Sequence, residues 1–326
     1  MKWSLNIMEN RDWKSFGVLV RKEIADYISS WKFVVLLLLI LLTCSASLYS
    51  SLQVLRKSIP APDDPNAAFF FLKIFTQSDG SLPAFHVFVG FLGPLLGICL
   101  GFDAVNSEFN NRSISRLLAQ PIYRDSLLNA KFMGALAVIA GLFAVLLLLT
   151  AGVAILWTGL LPSSEEIWRL LAFLLLSVVY VGFWLNLSIL FSTMWRHPAT
   201  SALVSIAIWL FFTVFYPLIV NVVAQQMAPG RYASYQEITS YQEFIITLTR
   251  FAPNQLFDDA TSTLLMPSIR SLGPLSFEQV QGAIPSPLPV WESVKVVWAQ
   301  LTALLSITLL CFAASYYSFM RKEIRA

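Results

Sequence analysis

The chain is 326 residues long, 57% hydrophobic and only 13% charged, whereas soluble domains carry about 25% charged residues. That composition excludes an ordinary soluble domain and points to a membrane protein. The net charge of +3 is too small to call for a polyanionic partner, so no nucleic acid is expected.

Residues 1–32 come first. Trp13, Phe16, Val20, Ile24, Tyr27 and Trp31 recur at steps of three or four, which places them on one narrow helix face. Arg11, Lys14, Arg21, Lys22 and Asp26 lie elsewhere around that helix. Tryptophan at both ends and bases on the polar face predict an amphipathic elbow helix lying in the membrane interface. A soluble helix packed on a partner is the weaker reading, because the segment runs directly into an apolar span.

Six stretches approach or exceed the about 20 apolar residues that cross a bilayer. They are Phe33–Leu52, Phe85–Phe102, Phe132–Trp157, Leu170–Phe191, Ala199–Val223 and Val296–Phe319. Each must be a helix, since backbone groups in lipid need partners within the segment. Pro94 and Pro217 predict kinks in spans two and five. Gly93, Gly97 and Gly101 form G-x-x-x-G-x-x-x-G on span two, with Gly90 just before them. Small residues at this spacing let helices approach closely, either within one subunit or at a dimer or translocation seam. Cys44, Cys99 and Cys311 lie inside apolar runs. Their wide separation gives neither a disulfide framework nor a metal spacing.

The segment between spans two and three, residues 103–131, is polar. A helix from Asp103 to about Ala119 is expected to stop at Pro121. Asp125 or Ser126 is placed to cap a second helix that runs into span three. Val105 and Phe109 share a face with Arg112 and Arg116. A bent hairpin with such a mixed face suits a protein interface with bases at its rim.

Two further loops are substantial. Residues 53–84 hold "FFFLKIF", expected to lie on the membrane surface. Residues 224–295 contain seven prolines and two short helical stretches, "EITSYQEFIITLTRF" and "NQLFDDATSTLL". They predict a small helical cap between spans five and six. Asp258 and Asp259 within it could hold a cation, but a solvated helix turn is the favoured reading. The fold expected is thus an all-α polytopic membrane protein of one domain, residues 1–326.

Fourteen of the 22 Lys and Arg fall on the side that carries the termini and residues 103–131 and 192–198. By the positive-inside rule that side is cytoplasmic, so both termini lie inside and residues 224–295 outside. The chain shows no machinery for chemistry. It has no phosphate-binding G-x-x-x-x-G-K-[ST] loop and no G-x-S-x-G elbow. Its two histidines, His86 and His197, make no metal pattern. No ionisable residue falls mid-span, which disfavours an ion-coupled transporter. Asn186, deep in span four, reads as a helix–helix hydrogen bond.

"GFDAVNSEFNNRSISRLLAQPIYRDSLLNAKFMG", Gly101 to Gly134, resembles the first cytoplasmic loop of ABC-2-type transporter permeases. Phe102, Asp103, Glu108, Leu117, Leu118, Pro121, Ile122, Arg124, Lys131, Phe132 and Gly134 match that family's pattern. Asn111-Arg112-Ser113 replaces its Arg-Gly-Thr, and Ala130 replaces a glycine. "VLVRKEIADYISSWKF" is similar to the family's elbow helix. "RFAPNQLFDDATSTLL" resembles the external segment of the nitrous-oxide-reductase maturation and gliding-motility branch.

The resemblance implies a permease subunit of the inner membrane, exporting a substrate with a second permease copy or paralogue. Separate cytoplasmic ATPase subunits would bind the ATP and Mg, so this chain would hold no cofactor. It implies an ATPase interface built from Asp103, Glu108, Arg112, Arg116, Pro121 and Arg124, with Gly93, Gly97 and Gly101 as helix-packing positions. An alternative is a non-transporting mechanical or regulatory subunit that passes ATPase motion to an external protein. The topology is checked by cysteine labelling. A thiol at Ser113 should react only from the cytoplasmic side and one at Ser286 only from outside. External reactivity at Ser113 would overturn the scheme.

Overall fold

A computed structural model describes residues 2–57, 69–110, 124–159, 161–230, 234–269, 272 and 287–321, with side chains from Phe16 onward in the first helix. Among these residues the chain forms helices and no strand. In order they are α1 (Lys2–Ser29), α2 (Trp31–Lys57), α3 (Phe70–Thr76), α4 (Phe85–Gly101) and α5 (Asn106–Asn110). Next come α6 (Arg124–Thr158), α7 (Ser164–Met194), α8 (Pro198–Leu210), a π turn (Phe211–Phe215) and α9 (Tyr216–Met227). The last are α10 (Tyr235–Thr249), α11 (Pro253–Leu265), α12 (Val290–Val296) and α13 (Trp298–Arg321). Six stretches are long and apolar enough to cross a membrane: α2, α4 to α5, α6, α7, α8 to α9, and α13. They coincide with the six predicted spans.

The centre of the bundle is α7, which packs against α4, α6, α8, α11 and α13. Tyr180, Val181, Trp184 and Leu185 are each 0% exposed, and residues 180–186 are all buried. The middle of this helix is thus covered on every side, while Trp168 and Leu175 nearer its start are exposed. Its start is fixed by a capping box. The Ser163 hydroxyl accepts the Glu166 N–H, and the Glu166 carboxylate accepts the Ser163 N–H at 2.8 Å. Deep in the helix, Asn186 Nδ2 donates to the Thr308 carbonyl of α13 at 3.4 Å, a helix–helix contact of the expected kind.

The glycine pattern faces α7 of the same chain. A Cβ added to Gly97 would stand 2.6 Å from the Val181 carbonyl oxygen and 2.9 Å from the Leu185 nitrogen. One at Gly101 would meet the Leu185 oxygen at 2.8 Å, and one at Gly93 would meet Val181 Cγ2 at 2.7 Å. Of the two readings of this stripe, the close approach within one subunit is the one it makes. Ser188 adds a hydroxyl bond to the Ile98 carbonyl at 3.1 Å.

Proline acts differently in spans two and five. Pro94 sits inside a continuous α4. Pro217 follows the π turn Phe211–Phe215. Without an N–H it leaves a carbonyl one turn back without its helical donor, and the helix widens there.

Two expectations need correction. "FFFLKIF" does not lie on a membrane surface. Ile74 and Phe75 are 0% exposed, with Leu72 and Phe71 close behind, because α3 is enclosed by α2, α4, α7 and α11. The apolar side of this short helix is buried, with Phe70, Lys73 and Thr76 only partly so, and here protein rather than lipid covers it. The helix expected from Asp103 is also different. Residues 102–105 form a turn, and α5 begins only at Asn106. The Ser192 hydroxyl of α7 accepts the Val105 and Asn106 N–H groups at 3.0 and 3.1 Å, which satisfies donors freed by the break.

Among the described residues α6 runs from Arg124, and Asp125 Oδ1 accepts the Ser126 N–H at 2.9 Å. At 35 residues it is about 52 Å long. It therefore carries polar residues well outside the about 30 Å hydrocarbon core.

Gly97→Ala should lower the thermal midpoint in detergent, because its methyl has only backbone to displace. Overpacking of this kind costs about 1–3 kcal/mol. Gly141→Ala, in the same type of helix but with open space around it, should not lower it. Equal midpoints for the two variants would refute the close-approach argument.

Candidate functional site

At the end of the bundle where α1 lies, charges are gathered where three elements meet. Helix α1 packs along α6 through Leu19 and Glu23, which are buried, and Phe16, Val20, Ile24 and Tyr27, which are partly so. Trp31, expected on this face, lies beyond the break at Ser30 and is 78% exposed. Gly134 of α6 permits the contact. A Cβ there would come within 2.9 Å of the Glu23 Cβ.

Glu23 sits in the middle of that apolar stripe and is answered by Lys131 of α6. Lys131 Nζ lies 3.1 Å from Glu23 Oε2 and 2.7 Å from Glu108 Oε1 of α5. The three side chains are 4%, 6% and 13% exposed, in the order Glu23, Lys131, Glu108. Lys22 Nζ approaches Glu23 Oε1 at 3.0 Å from the solvent side. Nearby, Lys32 of α2 pairs with Asp103 and stands 4.6 Å over the Phe102 ring. Burial, helped by the surrounding carboxylates, pushes the Tyr27 phenol pKa up, so Tyr27 keeps its proton. Asn110 Nδ2 donates to the Arg196 carbonyl at 3.0 Å, fastening α5 to the end of α7.

The predicted site residues divide accordingly. Asp103 and Glu108 join this cluster, and both face basic residues of their own chain. Arg112, Arg116 and Pro121 lie outside the described residues, as does the side chain of Arg124. Gly93, Gly97 and Gly101 stand apart, along the α4–α7 contact.

Sequence reading missed Glu23 and Lys131 as a pair. The available signal was Glu23 itself, placed by helical spacing between Val20 and Tyr27 on the apolar face. Lys131, Phe132 and Gly134, singled out as a motif, serve one junction. Lys131 bridges two carboxylates, Phe132 contacts the Phe312 ring of α13 with centroids 5.2 Å apart, and Gly134 admits α1.

The opposite end is fixed by Arg169, which is 0% exposed. Its guanidinium donates to the Leu264 carbonyl at 2.8 Å, to Ser293 Oγ at 3.2 Å, to Glu165 and to the Leu288 carbonyl. Glu166 Oε1 accepts the Phe71 N–H of α3 at 2.9 Å. These bonds bind α7, α3, α11 and α12 into one unit.

Between the two ends runs a polar chain. The Tyr180 hydroxyl, with its ring stacked on Phe257 at 4.3 Å, lies 3.1 Å from the Gly90 carbonyl and 2.8 Å from Asn254 Oδ1. Asn254 Nδ2 then donates to Thr213 Oγ1 of the π turn at 2.6 Å. Beside it opens a recess of about 160 Å³ lined by Phe212, Thr213, Tyr216, Asn254, Gln255 and Asp258, among others.

The two aspartates expected to form a solvated turn differ. Asp259 is paired with Arg250 Nε at 3.2 Å and with Gln255 Nε2 at 2.7 Å. Asp258 is exposed to solvent, as expected, and its carboxylate stands at the mouth of the recess. Desolvation there, with Asp259 adding, raises its pKa to about 6.

Six apolar spans gathered about α7, with ionic ties at the bundle's ends, define a polytopic helical membrane protein. Residues 18–324 match the ABC-2 family transporter protein model, and the chain belongs to that family. It is therefore a membrane-spanning subunit of an ABC transporter, a component without an ATPase of its own that works with a separate ABC ATPase. No curated protein matches the chain.

Lys131→Met should destabilise the fold strongly, since it leaves Glu23 and Glu108 buried without their shared cation. Such a loss costs about 3–5 kcal/mol. The triple variant Glu23→Gln, Glu108→Gln, Lys131→Met removes all three charges and should recover much of that loss. Thermal unfolding in detergent would measure both, and a triple variant no better than Lys131→Met would count against the ion-pair account.

Proposed function

We propose that this subunit exports a substrate, driven by ATP hydrolysis on cytoplasmic ATPase subunits that dock on residues 103–131, and that two permease subunits assemble for the purpose. The observation that supports it is the buried Glu23–Lys131–Glu108 cluster. It ties the segment after span two to α1 and to the long α6, so a push on that segment reaches three helices at once.

In this reading Arg112, Arg116 and Arg124 contact the ATPase. Asp103 and Glu108 act through Lys32 and Lys131 as positioning residues, and Pro121 sets the bend between two helices. The side carrying α1 and the C-terminal tail is cytoplasmic, in the inner membrane, in keeping with its basic residues. The second reading is a mechanical subunit acting on an external protein. The buried anchoring of α11 favours it in one respect, because motion of the bundle would be delivered there.

The test is ATPase recruitment and coupling. The purified chain alone should not hydrolyse ATP. With its cognate ATPase in liposomes it should support activity that moves substrate. Arg116→Ala should weaken ATPase pull-down without affecting membrane insertion, by roughly the 2–5 kcal/mol of one desolvated charged contact. Pro121→Ala should still bind but uncouple hydrolysis from transport. If both variants bind and couple like the parent, residues 103–131 are only a linker. ATPase turnover without substrate movement, alongside stable capture of an external protein, would favour the mechanical reading.

A further inference from the structure

We propose that the recess between the π turn and α11 is a binding site for the primary ammonium head of an amphipathic amine, with Asp258 as its counter-charge. The inference rests on the transport reading only for its role as a cargo site. The site itself stands on geometry.

Asp259 is already neutralised by Arg250. Asp258, next to it, has no cationic partner among the described residues, yet its carboxylate lines the recess and lies against Gly90 of α4. An exposed carboxylate at the mouth of a recess, with no cation paired to it, is a place for a cation to dock. The walls fit an organic cation. Phe212 and Tyr216 line the recess with Asp258, and aromatic faces attract ammonium groups. Thr213 and Asn254 place hydrogen-bonding oxygens in the same wall.

A metal ion fits less well. Hard divalent cations take about six oxygens, usually from several carboxylates, and no group of three His, Cys, Asp or Glu occurs among the described residues. Size limits what enters. About 160 Å³ is roughly five times the share of one water in the liquid, and below the about 300 Å³ of small drug sites. Only a head group goes in. The tail has a surface to follow, since Phe211, Phe215 and Ile219 of span five are 41%, 52% and 50% exposed.

The site should respond to pH. The groups facing Asp258 are Asp259 on its own helix, Tyr180 of α7 and Tyr216 of α9, while α4 presents the Gly90 backbone. Although Asp258 is exposed at the mouth, desolvation by the surrounding protein and the charge of Asp259 raise its pKa to about 6. Above that pH the carboxylate is charged and can hold an ammonium group. Below it the proton competes, and cation affinity falls about tenfold for each further unit.

The experiment uses the full chain in phosphatidylcholine nanodiscs, without any ATPase. The probes are dansylcadaverine, which carries a primary ammonium, and its N-acetyl derivative, which does not. At pH 7.5 the amine should bind saturably and at least tenfold more tightly than the acetylated probe. That preference should shrink about tenfold at pH 5 in the unaltered chain, and should vanish in Asp258→Asn at pH 7.5. The pH series needs no variant, so it decides the matter even if Asp258→Asn folds poorly. Equal binding of the two probes, or a preference that survives at pH 5 or in Asp258→Asn, would overturn the site.

Phosphatidylethanolamine in the discs separates two sources of the ammonium group. Competition with dansylcadaverine assigns the site to a lipid head, and no competition assigns it to a soluble amine. Either result accompanies a confirmed preference. Because no ATPase is present, a chain that binds the amine but recruits no ATPase would sink the coupling proposal and leave this site standing.

Discussion

The fold depends on the absence of side chains along one line of α4. Gly93, Gly97 and Gly101 bring its backbone against Val181, Leu185 and Ser188 of α7, so closely that even a methyl would collide. In a membrane, helices gain little by hiding apolar surface from one another, since lipid is equally apolar. Association rests on packing, hydrogen bonds and close approach. Once α4 and α7 are this close, the remaining helices have a column to pack around. α13, α6 and α11 each pack against α7, and α2 lies on α4. Phe85 and Phe75 pack edge to face at the α3–α4 junction, with ring centroids 5.2 Å apart.

Charge is distributed to suit that packing. The middles of the spans are apolar or carry groups such as Asn186 and Ser188, whose bonds reach neighbouring helices. The ionised groups that are buried sit towards the ends, where each is closely matched. Lys131 stands between two carboxylates, and Arg169 is surrounded by two backbone carbonyls, a hydroxyl and Glu165. Buried ion pairs add little net stability because desolvation offsets their attraction, but an orphaned member is very costly. The ties therefore act mainly as registers. They penalise any arrangement in which α1, α5 and α6, or α7, α11 and α12, slip relative to one another.

This division explains what the sequence disclosed. The spans were legible because length and apolarity suffice for a crossing helix, and the glycine spacing was legible as a packing signal though its partner was not. "FFFLKIF" was misplaced because hydropathy cannot distinguish lipid from protein as the apolar surroundings. Glu23 and Lys131, 108 residues apart, looked like two more polar positions, and only the approach of α1 to α6 makes them one feature. Asp258 and Asp259 are adjacent and chemically identical. Only the direction in which each points, one towards Arg250 and the other into a recess, gives them different parts.

The same close packing bears on how motion would travel under the proposed coupling. Gly101, where α4 gives way to the turn that carries Asp103, meets Leu185 and Ser188. Gly90, towards the other end of α4, meets Phe257 and Asp258 of α11, and its carbonyl lies within hydrogen-bonding distance of Tyr180. The contacts at Gly101 are chiefly with the α7 backbone and those at Gly90 with the Phe257 ring and the Asp258 carboxylate, and tightly packed interiors transmit strain rather than damp it. A tilt imposed where Glu108 grips Lys131 would thus move α4 and α7 together. It would emerge beside the π turn, where Pro217 has already loosened the backbone ladder of span five. That turn is the compliant element of the network. Thr213 is bonded to Asn254 there, so a change in the pitch of the π turn alters the wall of the recess. A rigid column that ends at a compliant turn is a physical route by which events at one end could set the shape of a small polar site at the other.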